Sequence, residues 1–355
     1  MKDNVIVKLE NVSKSFGKSN VIDDVSLDIY EGEFITLLGS SGCGKTTILR
    51  MISGLESVTS GKVYIDNKDV THVDPTKREV NTIFQNFALF PKMTVKDNIT
   101  FGLRMKKVNP SEIEKRCANV IKLVKLDGFE NRYPHELSGG QQQRVAIARG
   151  IIMNPKVLLL DESLCSLDLK LKKSMQVELK RIQKKLGITF IYVTHNQEEA
   201  LSMSDRIAII NKGKIEQLGT PQEIYKNPQK VFVADFIGEA NIIDAEVIKK
   251  KEDSIKVSML EDYLLEIPTD KEFSVGDKIK IVIRPEDIKI SKRKMNNSIN
   301  GIIIVTTYNG NSTNILIDIP GKKDIKVSII DDEKYNYNEE VYIMFDPKHV
   351  IPLRK

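Results

Sequence analysis

The chain has 355 residues, enough for two domains of ordinary size, each with its own core. Its 54 Lys and Arg against 49 Asp and Glu leave a charge of +5, and 41% hydrophobic with 29% charged residues excludes a disordered chain, a collagen and a disulfide scaffold. Charges of both signs are interleaved along the chain, so charge alone gives no support to nucleic-acid binding.

Up to about Ile237 short apolar strands alternate with helical stretches, the pattern of an α/β domain around a largely parallel sheet. FITLLG, VLLLD and ITFIYV read as buried strands, each followed by helix formers: KTTILRMISGL, LKLKKSMQVELKRIQKKL and NQEEALSMS. Ligand sites of such sheets lie at the strand C-terminal ends. Between them, residues 86–155 carry amphipathic helical patterns and predict a helical insert. Beyond Gly238 the texture turns to short β-rich runs, IKIVIRP, GIIIVTT, TNILIDIP and VYIMF, which predict a small β-barrel or sandwich. The expected domains are therefore 1–238 and 239–355. The basic run Lys292, Arg293, Lys294 reads as a solvated loop. Cys43, Cys117 and Cys165 form no CxxC pair, which fits a reducing compartment. No apolar run approaches the roughly 20 residues of a membrane span, and the start MKDNVIVKLE lacks a signal-peptide layout. The chain reads as cytosolic, or held at a membrane through partners.

Three motifs carry chemistry. Gly39, Ser40, Ser41, Gly42, Cys43, Gly44, Lys45 and Thr46 match GxxxxGK[ST] between the strand FITLL and a helix, where glycines let backbone N–H groups curl around phosphate and the helix N-terminus adds its dipole. Lys45 would reach the β- and γ-phosphates of a nucleotide and the Thr46 hydroxyl would bind Mg²⁺, with Thr47 beside it among the nucleotide contacts. The apolar strand VLLL ends in Asp161 and Glu162: the first would hold Mg²⁺, directly or through water, and the second polarise an attacking water. Ser138, Gly139, Gly140 and Gln141 open a helix, a second glycine-rich anion cradle on the same chain.

The SGGQ run placed between the phosphate loop and the acidic strand resembles the signature of ABC-type ATPases. The resemblance implies further roles for matching positions: Phe16 stacking on adenine, Gln85 touching Mg²⁺ and the attacking water, His195 contacting the γ-phosphate, and Asp168 in a loop that crosses a dimer interface. It also implies a head-to-tail homodimer, in which the phosphate loop of one chain and the SGGQ helix of the other enclose each ATP. Phe87, Leu89, Phe90 and Pro91 would receive a helix of a transmembrane subunit, or be ordinary core of the helical insert.

Within that family NTIFQNFALFPKMTV, FGLRMKK, LLLLDES with Ser163, and FIGEANIIDAEVI are most similar to the ATPase subunits of bacterial polyamine importers, for spermidine and putrescine. Sugar, iron and sulfate importers remain alternatives. Such subunits work at the cytoplasmic face of the membrane with two permease subunits and an extracytoplasmic solute-binding protein, and their β-rich tail is an OB-type, transport-associated domain. ABC ATPases acting on nucleic acid typically carry a long coiled coil or two ATPase domains in tandem, which this chain lacks, so no nucleic-acid partner is expected. Cys165, Ser166 and Asn196 stand where relatives usually carry Ser, Ala and Asp.

Overall fold

The computed structural model describes residues 4–162, 169–260, 263–319, 323–330 and 333–354. The chain forms two compact units, Met1–Gln222 and Glu223–Lys355.

In the first unit, β1 (Val5–Phe16) and β2 (Ser19–Tyr30) make a long antiparallel pair, followed by β3 (Phe34–Leu38) and α1 (Lys45–Ser53). Then come β4 (Ser60–Ile65), β5 (Lys68–Asp69) and β6 (Val80–Ile83). Helices α2 (Val95–Met105), α3 (Pro110–Leu123) and α4 (Gly139–Ile151) fill the stretch before β7 (Val157–Asp161). The unit continues with α5 (Leu169–Leu186), β8 (Thr189–Thr194), α6 (Gln197–Met203), β9 (Arg206–Asn211) and β10 (Lys214–Gly219). Strands β2-β1-β4-β5 form one sheet, and a six-stranded sheet runs β10-β9-β3-β8-β7-β6, with the neighbours from β9 to β6 parallel and β10 antiparallel to β9.

The central strands are apolar on both faces because both faces are covered. Side chains alternate along a strand, so Phe34, Leu158, Leu160, Phe190 and Tyr192 join the core formed with α2, α3, α4 and α5. Ile35, Leu37, Leu159, Ile191 and Val193 point the other way, into the core formed with α1 and the antiparallel sheet. A one-residue slip of register would exchange these two sets, and the paired rows Phe34↔Phe190 and Leu158↔Phe190 hold them in place.

The second unit begins in α7 (Pro221–Lys226) and continues with α8 (Val231–Phe236), β11 (Asn241–Lys250), β12 (Ser254–Met259), β13 (Tyr263–Pro268), β14 (Lys278–Ile283), β15 (Ile288–Ser291) and β16 (Ile299–Tyr308). It ends with β17 (Thr313–Ile319), β18 (Lys323–Ile329), β19 (Glu340–Phe345) and β20 (Ile351–Arg354). Two antiparallel five-stranded sheets, β13-β12-β11-β14-β20 and β15-β19-β16-β17-β18, share one core of Ile, Val, Phe and Leu side chains.

The division between units falls ahead of the Gly238 boundary read from the sequence, and Arg284 supplies a physical reason. Its guanidinium is buried and donates to the carbonyls of Ala234, Ile237 and Glu239 at 3.1, 2.7 and 3.0 Å, and to Tyr225 O at 3.0 Å. Four carbonyls spread over residues 225–239 are thus tied to the strand unit by one buried cation.

Candidate active site

Strand order brings the motifs together. Strand β8 lies between β3 and β7, all three parallel, with Leu38 paired to Thr194 and Asp161 to Val193. Residues following these strand ends are therefore neighbours: the glycine-rich loop after β3, Asp161 and Glu162 at β7, and His195 after β8.

The loop over residues 39–46 has a shape only glycine permits at two points. A Cβ on Gly39 would lie 2.2 Å from Ile210 O and 2.6 Å from Cys43 Sγ. Gly44, the residue before α1, sits at φ 109°, and a Cβ there would lie 2.4 Å from Ile22 Cδ1. Lys45 is buried, 4% exposed, and its Nζ donates to Gly39 O and Ser40 O at 2.8 Å each. The ammonium thus lies folded over the carbonyls of its own loop. Burial pushes the Cys43 thiol above its ordinary value against the opposing charge of Lys45, which keeps it a weak nucleophile. Ser40, Ser41 and Gly42 form the exposed rim, and Thr47 is half-buried beside Thr46.

Thr46 Oγ1 donates to Asp161 Oδ1 at 3.2 Å. Burial raises the Asp161 carboxyl above the usual range; the Thr46 bond opposes this and the neighbouring Glu162 charge adds to it. Glu162 takes a left-handed backbone, φ 43°, and its N–H donates to Val193 O at 3.0 Å, fixing the turn after β7. Its Oε1 meets His195 Nδ1 at 3.2 Å. The donor set of Thr46 hydroxyl and Asp161 carboxylate suits a hard cation such as Mg²⁺. Among the described residues no group of three His, Cys, Asp or Glu side chains converges, so such a cation would also need ligands from phosphate and water.

Ser138 and Gln141 cap α4 reciprocally: Gln141 N–H donates to Ser138 Oγ at 3.4 Å, and Ser138 N–H to Gln141 Oε1 at 2.8 Å. Gly139 is exposed, and Gly140 packs so closely on α5 that a Cβ would lie 2.7 Å from Leu171. Among the described residues, no hydrogen bond or ion pair joins residues 138–141 to residues 39–46. Phe16 ends β1 half exposed, at 49%, with Lys14 Nζ 4.8 Å above its ring. Gln85 lies exposed in the turn after β6. Ser163, Cys165, Ser166 and Asp168 lie outside the described residues.

The apolar quartet divides. Phe87 is buried in the helical core, Leu89 packs against it, and Phe90 and Pro91 are exposed, together with Phe84. Two residues that the sequence reading missed hold this turn. Asn98, fully buried, accepts from Phe90 N–H at 2.8 Å and donates to the carbonyls of Phe90, Met93 and Thr94 at 3.0–3.1 Å. Arg149, on the last turn of α4, donates to Phe87 O and Ala88 O at 2.8 Å and lies over the Phe90 ring at 5.4 Å. No local pattern marks an Asn inside a helix as a loop clamp, so only the fold reveals it.

The model of the ABC transporter family matches residues 22–164, across the phosphate loop, the SGGQ helix and the acidic strand. The spermidine/putrescine import ATP-binding protein PotA of Aliivibrio fischeri is 49% identical over 91% of this chain and 87% of its own length. The chain belongs to the ABC transporter ATP-binding family. The protein of the same name from Haemophilus influenzae is 49% identical over 87% of this chain and 84% of its own. The TOBE domain family matches residues 281–353, inside the second unit, so an ABC ATPase unit is followed by a strand-rich OB-type domain. Among solved structures, cbiO1 of Clostridium perfringens, part of the ABC transporter complex cbiONQ, has a TM-score of 0.60 at 30% identity, covering 62% of this chain and 91% of that one. The ATP-binding cassette MJ0796, a post-hydrolysis dimer bound to ADP and Pi, has a TM-score of 0.55 at 36% identity, covering 61% of this chain and 99% of that one.

Proposed function

We propose that this chain is the ATP-hydrolysing subunit of an importer for polyamines, working as a homodimer against separate permease subunits supplied by an extracytoplasmic binding protein. The observation that carries the hydrolytic reading is the convergence of Lys45, Thr46, Asp161, Glu162 and His195 at three adjacent strand ends. The polyamine reading rests on relatives near half identity along most of their length.

On this reading phosphate enters the loop over residues 39–46, and Lys45 exchanges its two carbonyl partners for β- and γ-phosphate oxygens. Thr46 and Asp161 would hold Mg²⁺, with Gln85 of the β6 turn as the further ligand that the family resemblance implies; the ion would supply charge neutralisation at the phosphates. Glu162 polarises the attacking water, and His195, held against it, contacts the γ-phosphate. Phe16 offers an exposed ring for the adenine, and Ser138, Gly139, Gly140 and Gln141 of a second copy, with its Asp168, close over the nucleotide. Among the described residues no helix is long and apolar enough to cross a membrane, which fits a subunit that acts through partners at the cytoplasmic face.

Reconstitution with its permease subunits and binding protein tests the substrate class. ATP-dependent uptake of labelled spermidine is the expected result; uptake of a sugar, iron or sulfate with spermidine ignored would overturn the polyamine reading and leave the hydrolytic site standing.

A further inference from the structure

The turn that carries His195 is held by a buried carboxylate that none of these roles uses. Glu199, in the first turn of α6, has no exposed surface, and its Oε2 accepts from the hydroxyls of Tyr192 and Thr194, each at 2.5 Å. Its Oε1 faces Lys172 Nζ at 2.6 Å, an ion pair without good hydrogen-bond angles. The Glu199 N–H donates to Asn196 Oδ1 at 3.0 Å, and the Asn196 N–H donates to Thr194 Oγ1 at 3.0 Å. His195 is thus flanked by Thr194, whose hydroxyl donates to the Glu199 carboxylate, and by Asn196, whose N–H donates to that same hydroxyl.

A buried carboxylate is a costly way to fill space, since an apolar residue of similar volume is often at least as stable. Here the charge does something packing does not. It orders the last hydroxyl of β8, which in turn accepts from the Asn196 N–H, and Lys172 stands in the first turn of α5. The same carboxylate therefore touches the strand end leading into His195 and the first turn of α5.

We propose that Glu199 is a positioning residue for hydrolysis: its carboxylate orients the Thr194 hydroxyl, which accepts from the Asn196 N–H across His195, so that the imidazole meets Glu162, and through Lys172 it ties that geometry to α5. This rests on the roles proposed above for Glu162 and His195. On that reading the loop over residues 39–46 supplies most of the contacts to ATP, so the effect falls on turnover far more than on affinity.

The test measures steady-state turnover and ATP affinity of the full chain in Glu199→Gln, Thr194→Val, Thr194→Ser and the Glu199→Gln/Thr194→Val double variant. Thr194→Val keeps the buried volume and removes the same bond, together with the one from the Asn196 N–H that depends on it, should Glu199→Gln fold poorly. The expected result is a turnover loss of about tenfold in both single variants with ATP affinity within about twofold, a double variant no worse than the poorer single, and recovery in Thr194→Ser. Unchanged turnover in both, losses that multiply in the double, or affinity and melting temperature falling together with turnover would overturn it. Glu162→Gln run alongside separates this inference from the site itself: full turnover there removes the site assignment, whereas an inactive Glu162→Gln beside a fully active Glu199→Gln removes only the role of Glu199.

Discussion

The chain carries two glycine-rich helix N-termini, and they are built in opposite ways. The loop before α1 is closed on itself: Gly39 and Gly44 are forced by contacts below 3 Å, and the loop's own cation, Lys45, donates to two of its own carbonyls. The start of α4 is a bare capped end, Ser138 and Gln141 satisfying one another with Gly139 exposed and no cation donating into the turn among the described residues. A helix end alone is a weak anion site; a nest of N–H groups with a buried lysine is a strong one. On the proposed reading the first holds a polyphosphate within one chain, whereas the second would gain its anion only when another copy presents one.

Substitutions at the two cradles should therefore differ in kind. Lys45→Ala should weaken ATP binding by about 100-fold in a single chain, as expected when a buried charge-assisted contact is truncated, measured by calorimetry. Gly44→Ala should cost about 1–3 kcal/mol in denaturant unfolding, because a left-handed backbone and the Ile22 contact both resist a Cβ. Ser138→Ala should cost about 1 kcal/mol through the lost cap and leave single-chain ATP affinity unchanged; an affinity loss like that of Lys45→Ala would break the distinction. The smallest effect concerns Asp161. Its carboxyl is raised in the folded chain, so the folded state binds this proton more readily than the unfolded one. The stabilisation is complete below the usual carboxylate value and is lost as pH rises through the raised one. Asp161→Asn should accordingly melt slightly higher than the nucleotide-free parent at neutral pH and lie level with it in acid, while losing Mg²⁺-dependent turnover.

The same contrast bears on what could be read in advance. The loop over residues 39–46 was legible because its spacing and its place between a strand and a helix are fixed by local geometry, as was the acidic end of β7. Sheet order was not: that β8 separates β3 from β7 is a non-local fact, and it is what places His195 beside Glu162. The long β1–β2 pair escaped the reading of three apolar runs because it is covered on one face only: Val25, Leu27 and Ile29 of β2 alternate with exposed Ser26 and Asp28, and the register shifts against β1 interrupt the pattern there. Phe87 and Phe90 look alike in sequence, yet one is core and the other exposed, because Asn98 and Arg149 turn the backbone between them. The unit division ahead of Gly238 was hidden for a similar reason, as Arg284 gathers carbonyls distant along the chain.

The central claim is that the two cradles are halves of one site contributed by two chains. It is tested most directly by the mass in solution of Glu162→Gln with ATP and Mg²⁺, where slow hydrolysis should trap the closed state. The account predicts a dimer that requires ATP and is lost when Ser138→Arg is added, although that double variant still binds ATP. A chain that stays monomeric with ATP bound, or a dimer indifferent to both ATP and Ser138→Arg, would contradict it.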